Sequence, residues 1–323
     1  MSRDMIIDLH PTEDQQMIAD SIGGFLADRL PVARLRESES HAGAAESEIW
    51  SDLAELGVFG IGLSEDEGGT GYGLPEEVLA ARALGRALAS PSLLAQMAAV
   101  HLAEGDARAA LVTGESRAAF ATPSLSGDII VLDNKGADLI VLLAQGASLL
   151  PVDSFEWEQV ASIDETILIQ RAANNRDLPD ERDAKADRIS LLIASSLTGV
   201  AQGALELAVD YAKQREQFGQ PIGSFQAIKH SLADMRVRAD CADTQTRVAA
   251  VAFGRSEADR REVAAARWLA GDAALGNAKA GIQVHGGMGF TAECDAHLYL
   301  KRAHVLSGIG SSTRAEERRL LAG

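Results

Sequence analysis

Apolar and polar positions along this 323-residue chain change their period twice. Over the first hundred residues the spacing is helical. Thr12 and Gln15 form a capping box after Pro11, and Ile18, Ile22, Phe25 and Leu26 follow on one helical face. A second helix is predicted over 46–57 (ESEIWSDLAELG), with Gly57 as its stop. A glycine-rich turn region, GIGLSEDEGGTGYGLPEE, leads to Pro75, which opens a third helix, PEEVLAARALGRAL.

Residues 109–180 switch to short β-rich runs, AALVTG, DIIVLD, DLIVLLA, ASLLPVD and ETILIQ, separated by Gly, Asp, Asn and Ser. They predict a small antiparallel sheet of a few strands. The polar stretch AANNRDLPDERDAKAD reads as a linker. From about 187 the chain is helical again and Ala-rich. Residues 189–213 are apolar almost all round, as in a helix buried inside a bundle. Ile228, Leu232, Met235, Ala239, Ala242, Ala249 and Phe253 give 224–253 one apolar face, 257–284 form a third bundle helix, and 293–306 and 313–321 supply the last pieces. The order predicts an α+β, mainly α chain: an N-terminal helical domain (1–108), a reduced β domain (109–180) and a C-terminal four-helix bundle (187–323).

Charge narrows the choice of partner. With 30 Lys+Arg against 47 Asp+Glu, the net charge of −17 repels phosphate backbones and anionic lipid, so neither a nucleic acid nor a membrane is an expected partner. No run approaches the ~18 apolar residues of a membrane span. The N-terminus turns acidic too soon for a signal peptide. Cys241 and Cys294 stand singly, as reduced thiols do, and a cytoplasmic protein is expected.

Two segments carry unusual chemistry. YAKQREQFGQPIGSFQAIKH (211–230) interrupts a helix pair and offers a cation (Arg215), amides (Gln217, Gln226) and an exposed aromatic (Phe218), a set suited to phosphate oxygens and a purine ring. In GIQVHGGMGFTAEC (281–294), Gln283 closes a helix, and Gly286, Gly287 and Gly289 let backbone approach a ligand. Each alone also fits a plain helix connection, and His285 reads as structural. GGTGYG follows no clear strand and lacks the lysine of a phosphate loop, so it is expected to bind no phosphate.

Taken together, YAKQREQFGQPIGSFQAIKHSLADM and IQVHGGMGFT resemble the C-terminal bundle of the acyl-CoA dehydrogenase family, and LAELGVFGIGLSEDEGGTGYG with ALGRALA resembles its N-terminal helical domain. The resemblance covers about 1–100 and 187–320. It implies helical, β-barrel and bundle domains with FAD at a subunit interface, where these segments reach the adenine and pyrophosphate of the neighbour's flavin. Carried over by position, the flavin-contacting residues are Arg215, Gln217, Phe218 and Gln226, then Gln283, Gly286 and Gly287. The reaction implied is α,β-dehydrogenation of an acyl-CoA thioester, in which a carboxylate takes the α-proton and the β-hydrogen leaves as hydride to the flavin.

Two departures stand out. Gly310 falls where the family's catalytic Glu is expected, and the alternative position on the first bundle helix is Ile189. Asp187 is two residues off that register, a rotation of about 200°. Glu316 and Glu317 lie in a charged run and are predicted to be solvated. In the middle domain FATPSLSGD (120–128) is the nearest match to the flavin cradle, with Thr122 and Ser124 as candidates, while Trp157 stands in a different context. The residues that serve a neighbour's flavin are kept; those that serve the chain's own are lost. The expectation is a small, non-catalytic subunit that shares FAD with a larger acyl-CoA dehydrogenase subunit, in an assembly that takes an acyl-CoA substrate and passes electrons to an electron-accepting flavoprotein. Paired subunits of this kind in the family act on steroid side-chain thioesters, the preferred substrate class here, or on dicarboxylic ones. The alternatives are a homo-oligomer using Asp187 or Glu293 as base, and a flavin-free scaffold.

Overall fold

The first helix begins at its capping box. In the computed structural model, which describes residues 9–37, 44–178, 181–254 and 259–322, the Thr12 hydroxyl accepts the Gln15 amide and the Gln15 side chain accepts the Thr12 amide. Helix α1 (Glu13–Arg29) follows and buries Ile22 and Leu26. After α2 (Arg34–Glu37), the helix predicted over 46–57 is two pieces, α3 (Ala44–Glu48) and α4 (Trp50–Glu55). The break falls between two tertiary anchors: Glu46, bonded to Arg34 and the Ser90 amide, and Trp50, packed on Phe59. Helix α5 (Leu74–Arg86) carries Pro75 in its first turn, as predicted.

Helices α6 (Pro91–Ala99) and α7 (Gly105–Thr113) follow. AALVTG is therefore the end of α7 and not a strand; a short apolar run fits either state, and here the Gln96 side chain bonds the Leu111 carbonyl near the helix end. The sheet begins instead with β1 (Ala118–Pro123) and continues through β2 (Ile129–Leu132), β3 (Leu139–Leu143), β4 (Ala147–Pro151), β5 (Glu158–Val160) and β6 (Ile169–Ala172). Only the end of ETILIQ joins it. Its order is β4-β3-β1-β2-β6-β5. The expected antiparallel sheet is in fact mixed. Because β2 takes one edge of β1 by a hairpin, β3 lies on the other edge and runs parallel to it. Strand alternation gives the sheet two buried faces: Ala118, Phe120, Val141 and Leu143 face the helices, while Ala119, Ala121, Val131 and Ile140 close a second cluster with Phe155 and Trp157.

The bundle comprises α8 (Ala184–Gln214), then α9 (Gln226–Ala252), α10 (Asp259–His285), α11 (Ala296–Ser307) and α12 (Thr313–Ala322). Contrary to the expectation from composition, α8 is long and apolar enough to cross a membrane, but it runs through the core, packed on α5, α9, α10 and α11. Glycine sets its crossing with α5. A Cβ on Gly85 would stand 1.9 Å from the Ser196 carbonyl oxygen, and one on Gly199 would stand 2.0 Å from that of Arg82. Arg302 of α11 joins the parts: buried, it ion-pairs with Asp164 at 3.0 Å, bonds Thr166, and donates to the Leu88 and Ala89 carbonyls.

Candidate functional site

The two chemistry-bearing segments meet at one end of the bundle. Arg215 ends α8, its amide bonded back to the Tyr211 carbonyl. A hairpin follows, β7 (Glu216–Gln217) paired with β8 (Gln220–Pro221), and its two turn residues, Phe218 and Gly219, have φ of 54° and 79°. Two central residues at positive φ are the type I′ pattern, which favours Asn or Gly. A bulky ring there is strained, and Phe218 is nonetheless 92% exposed, touching Phe225 edge-on.

Beneath the hairpin, Leu205, Ala208 and Ala212 of α8, Met235 of α9 and Val284 of α10 form one apolar cluster with Ile222 and Ile228. Tyr211 stacks on His285 with centroids 4.2 Å apart, and the His285 Nδ1–H donates to the Gly281 carbonyl at 2.7 Å. His285 is thus buried and structural, as the sequence suggested. These contacts hold the start of the Gly286–Phe290 turn against the last turns of α8, at Tyr211. Gln217, Gln226 and Gln283 are exposed on the same end. Gly286 (φ +61°) and Gly287 are also exposed, and a Cβ on either would meet nothing within 4 Å. Backbone here is open to a ligand.

The region expected to hold a base is closed by contrast. Gly310 (φ +69°) donates its amide to the Thr122 hydroxyl at 3.0 Å, and that hydroxyl donates to the Leu143 carbonyl. A Cβ on Gly310 would stand 2.6 Å from the Leu143 Cδ2. Thr122 is buried, Ser124 bonds Ser126, and Trp157 donates to the Val152 carbonyl. Arg267, fully buried, fixes the Gly310 loop by donating to the Leu306 and Ile309 carbonyls; burial pulls its guanidinium down to about 10.

Each nearby carboxylate has its own partners or faces water. Asp187 is buried and paired with Arg182 and Arg260. Glu316 corrects the expectation of a solvated acid: α12 folds against α10, so Glu316 is fully buried between Arg182 and Arg319. Glu317 and Glu293 are exposed. Past the Gly286–Phe290 turn, burial holds the Asp295 carboxyl above its ordinary value although Arg36 draws it down. The GGTGYG loop spends its amides internally: Gly68, Gly69, Thr70 and Gly71 donate to backbone carbonyls and Gly73 to Glu76, which leaves no phosphate cradle. Among the described residues no group of His, Cys, Asp or Glu could hold a metal. The contacts of Gly310 with Thr122 and of Arg36 with Asp295 were not visible in the sequence, since they join positions far apart in the chain.

The fold and the two segments define a class, and comparison with known proteins gives the same answer. Residues 12–127 match the acyl-CoA dehydrogenase N-terminal domain and 186–313 the acyl-CoA dehydrogenase C-terminal domain. The chain belongs to the acyl-CoA dehydrogenase family. It is 35% identical over 317 residues to acyl-CoA dehydrogenase IpdE2 of Mycobacterium tuberculosis, covering 96% of this chain and 97% of that protein. Acyl-CoA dehydrogenase FadE34 of the same organism is also 35% identical, over 293 residues, but this chain spans only 40% of its length. Among solved structures, a variant of the Tcur3481-Tcur3483 steroid ACAD shares the fold with a TM-score of 0.80 at 24% identity, covering 96% of this chain and 97% of that one.

Proposed function

We propose that the chain is the small subunit of a heteromeric acyl-CoA dehydrogenase, lending the Arg215–Gln283 end of its bundle to FAD held mainly by a larger family member. One observation carries the reading. The residues suited to a neighbour's flavin stand free at a solvent-facing end, whereas the position of the chain's own base is a glycine packed on Leu143. Arg215 would bond pyrophosphate oxygens, Gln217, Gln226 and Gln283 would add amide contacts, and Phe218 would pack on the adenine. Gly286 and Gly287 would let backbone approach the phosphates. When bound, FAD would supply the acceptor for the hydride that leaves the β-carbon.

Abstraction of the weakly acidic α-proton needs a desolvated carboxylate free of cationic partners. Asp187 and Glu316 are each committed to two arginines, and Glu293 faces solvent, so the base is assigned to the partner and the homo-oligomeric alternative is disfavoured. The relatives support an assembly. More than half of FadE34 lies outside its match to this chain, room for a second unit of this size, while IpdE2 matches from end to end. The Tcur3481-Tcur3483 steroid ACAD supports a steroid-derived acyl-CoA as the substrate class. Electrons would pass to an electron-accepting flavoprotein. Expression alone and together with a longer family member that carries an intact Glu tests this. The reading expects a colourless chain alone and a yellow, acyl-CoA-oxidising complex. A yellow, active protein from this chain alone would overturn it.

A further inference from the structure

We propose that Arg36, through Glu293 and Asp295, is a positioning residue that fixes the Gly286–Phe290 turn for the partner's FAD. The inference rests on the function proposed above. The turn is a single short 3-10 helix whose own side chains add little to fix where it sits. Gly286, Gly287, Met288 and Phe290 are exposed, and only Gly289 presses on α10, where an added Cβ would stand 2.6 Å from the Ile282 carbonyl oxygen. Beyond its own backbone bonds, its placement depends on its two ends.

The start is fixed by α8 and α10, through the Tyr211–His285 stack and the His285 bond to Gly281. The exit is fixed by α2. Arg36 Nη1 donates to the Glu293 carbonyl at 2.6 Å, and Nε ion-pairs with Asp295 Oδ1 at 2.7 Å, without the alignment of a hydrogen bond. One planar guanidinium thereby holds two residues of the segment that leads from the turn into α11. A lysine presents a single ammonium and cannot reproduce that fork. Asp295 precedes α11 at its N-cap position, where an aspartate ordinarily bonds the first helix amides, yet it makes no such bond. Its carboxylate is given to Arg36 instead. Arg36 is exposed at 36% but Asp295 is only 15% exposed, so bulk salt screens the pair less than it would one exposed on both sides. Between these ends, the Thr291 amide and hydroxyl both bond the Met288 carbonyl and the Cys294 amide bonds the Thr291 carbonyl, which transmits the hold back to the turn.

The test uses the full chain assembled with the longer family member. FAD titration of the apo-assembly, hydrogen exchange of 286–294 and the thermal midpoint are measured for R36Q, R36K and D295N. R29Q, which breaks the exposed Arg29–Asp52 pair, is the stability control, and R215A is the control for flavin donation. If the clamp keeps the turn competent, R36Q lowers the competent fraction and weakens FAD binding about tenfold. Exchange speeds up only in 286–294, the midpoint shifts no more than in R29Q, and R36K and D295N lose part of the affinity. Unchanged affinity in R36Q with loss in R215A overturns the positioning role and leaves the donation reading standing. Unchanged affinity in both overturns the donation reading and the inference with it. Faster exchange throughout the chain with a lowered midpoint shows a merely structural residue and overturns the positioning role.

Discussion

Replacing Asp133 with Asn should make the protein more resistant to rising pH. Asp133 follows β2 and is buried where the N-terminal helices meet the sheet. Its carboxylate accepts the Ser90 hydroxyl at 2.6 Å and the Leu168 amide at 2.7 Å. Burial raises it from an ordinary 3.8 to about 7; Ser90, Leu168 and Arg302 pull the other way, and the nearby Glu46 adds to the rise. Between those values the folded chain keeps a proton that the unfolded chain has released, so each rise in pH favours unfolding. At about 1.36 kcal/mol per unit the whole shift is worth about 4 kcal/mol, all of it lost by neutral pH. Asn keeps hydrogen-bonding groups at the same place and does not titrate. Urea unfolding of both proteins from about pH 5 to about pH 8 should show the advantage of D133N growing by about 3 kcal/mol over that range. All other titrating groups cancel in the difference. A difference that stays level with pH would refute the reasoning.

Other expectations follow from the same contacts. G199A should lower stability by about 3 kcal/mol in denaturant titration, because its Cβ meets the Arg82 carbonyl at 2.0 Å. R302L leaves Asp164 buried without its partner and should cost about 3–5 kcal/mol, much of it recovered in R302L/D164L; an additive double variant would count against a buried pair. F218N relieves the strained turn and should stabilise the chain by about 1 kcal/mol while weakening FAD binding in the assembly; a gain in both would remove the ring from the site. G310E should lower the thermal midpoint and give the chain alone no dehydrogenase activity, since the Leu143 side chain stands against this position and its backbone is left-handed.

The sequence showed most where the signal was local. The Thr12 box, the apolar α8 and the break between helices that leaves Phe218 exposed are all set by neighbours a few residues apart, and each stands in the structure as its pattern implied. AALVTG misled because a short apolar run has no period long enough to separate helix from strand. The parallel β1–β3 pair depends on which edge of β1 remains free, a choice made in three dimensions. Glu316 looked solvated because its helix is charged; its burial depends on Arg182, 134 residues earlier. Gly310 was visible as a glycine where the family resemblance led one to expect a Glu, but the Leu143 side chain against it was not.

The central claim is that this chain completes a flavin site lodged in another. The most direct measurement is equilibrium binding of FAD to the assembly with Arg215→Ala and Gln283→Ala placed in this chain alone, the larger subunit being untouched. The account predicts that FAD affinity falls by at least about tenfold while the two chains still co-purify. Affinity equal to that of the unaltered assembly would contradict it.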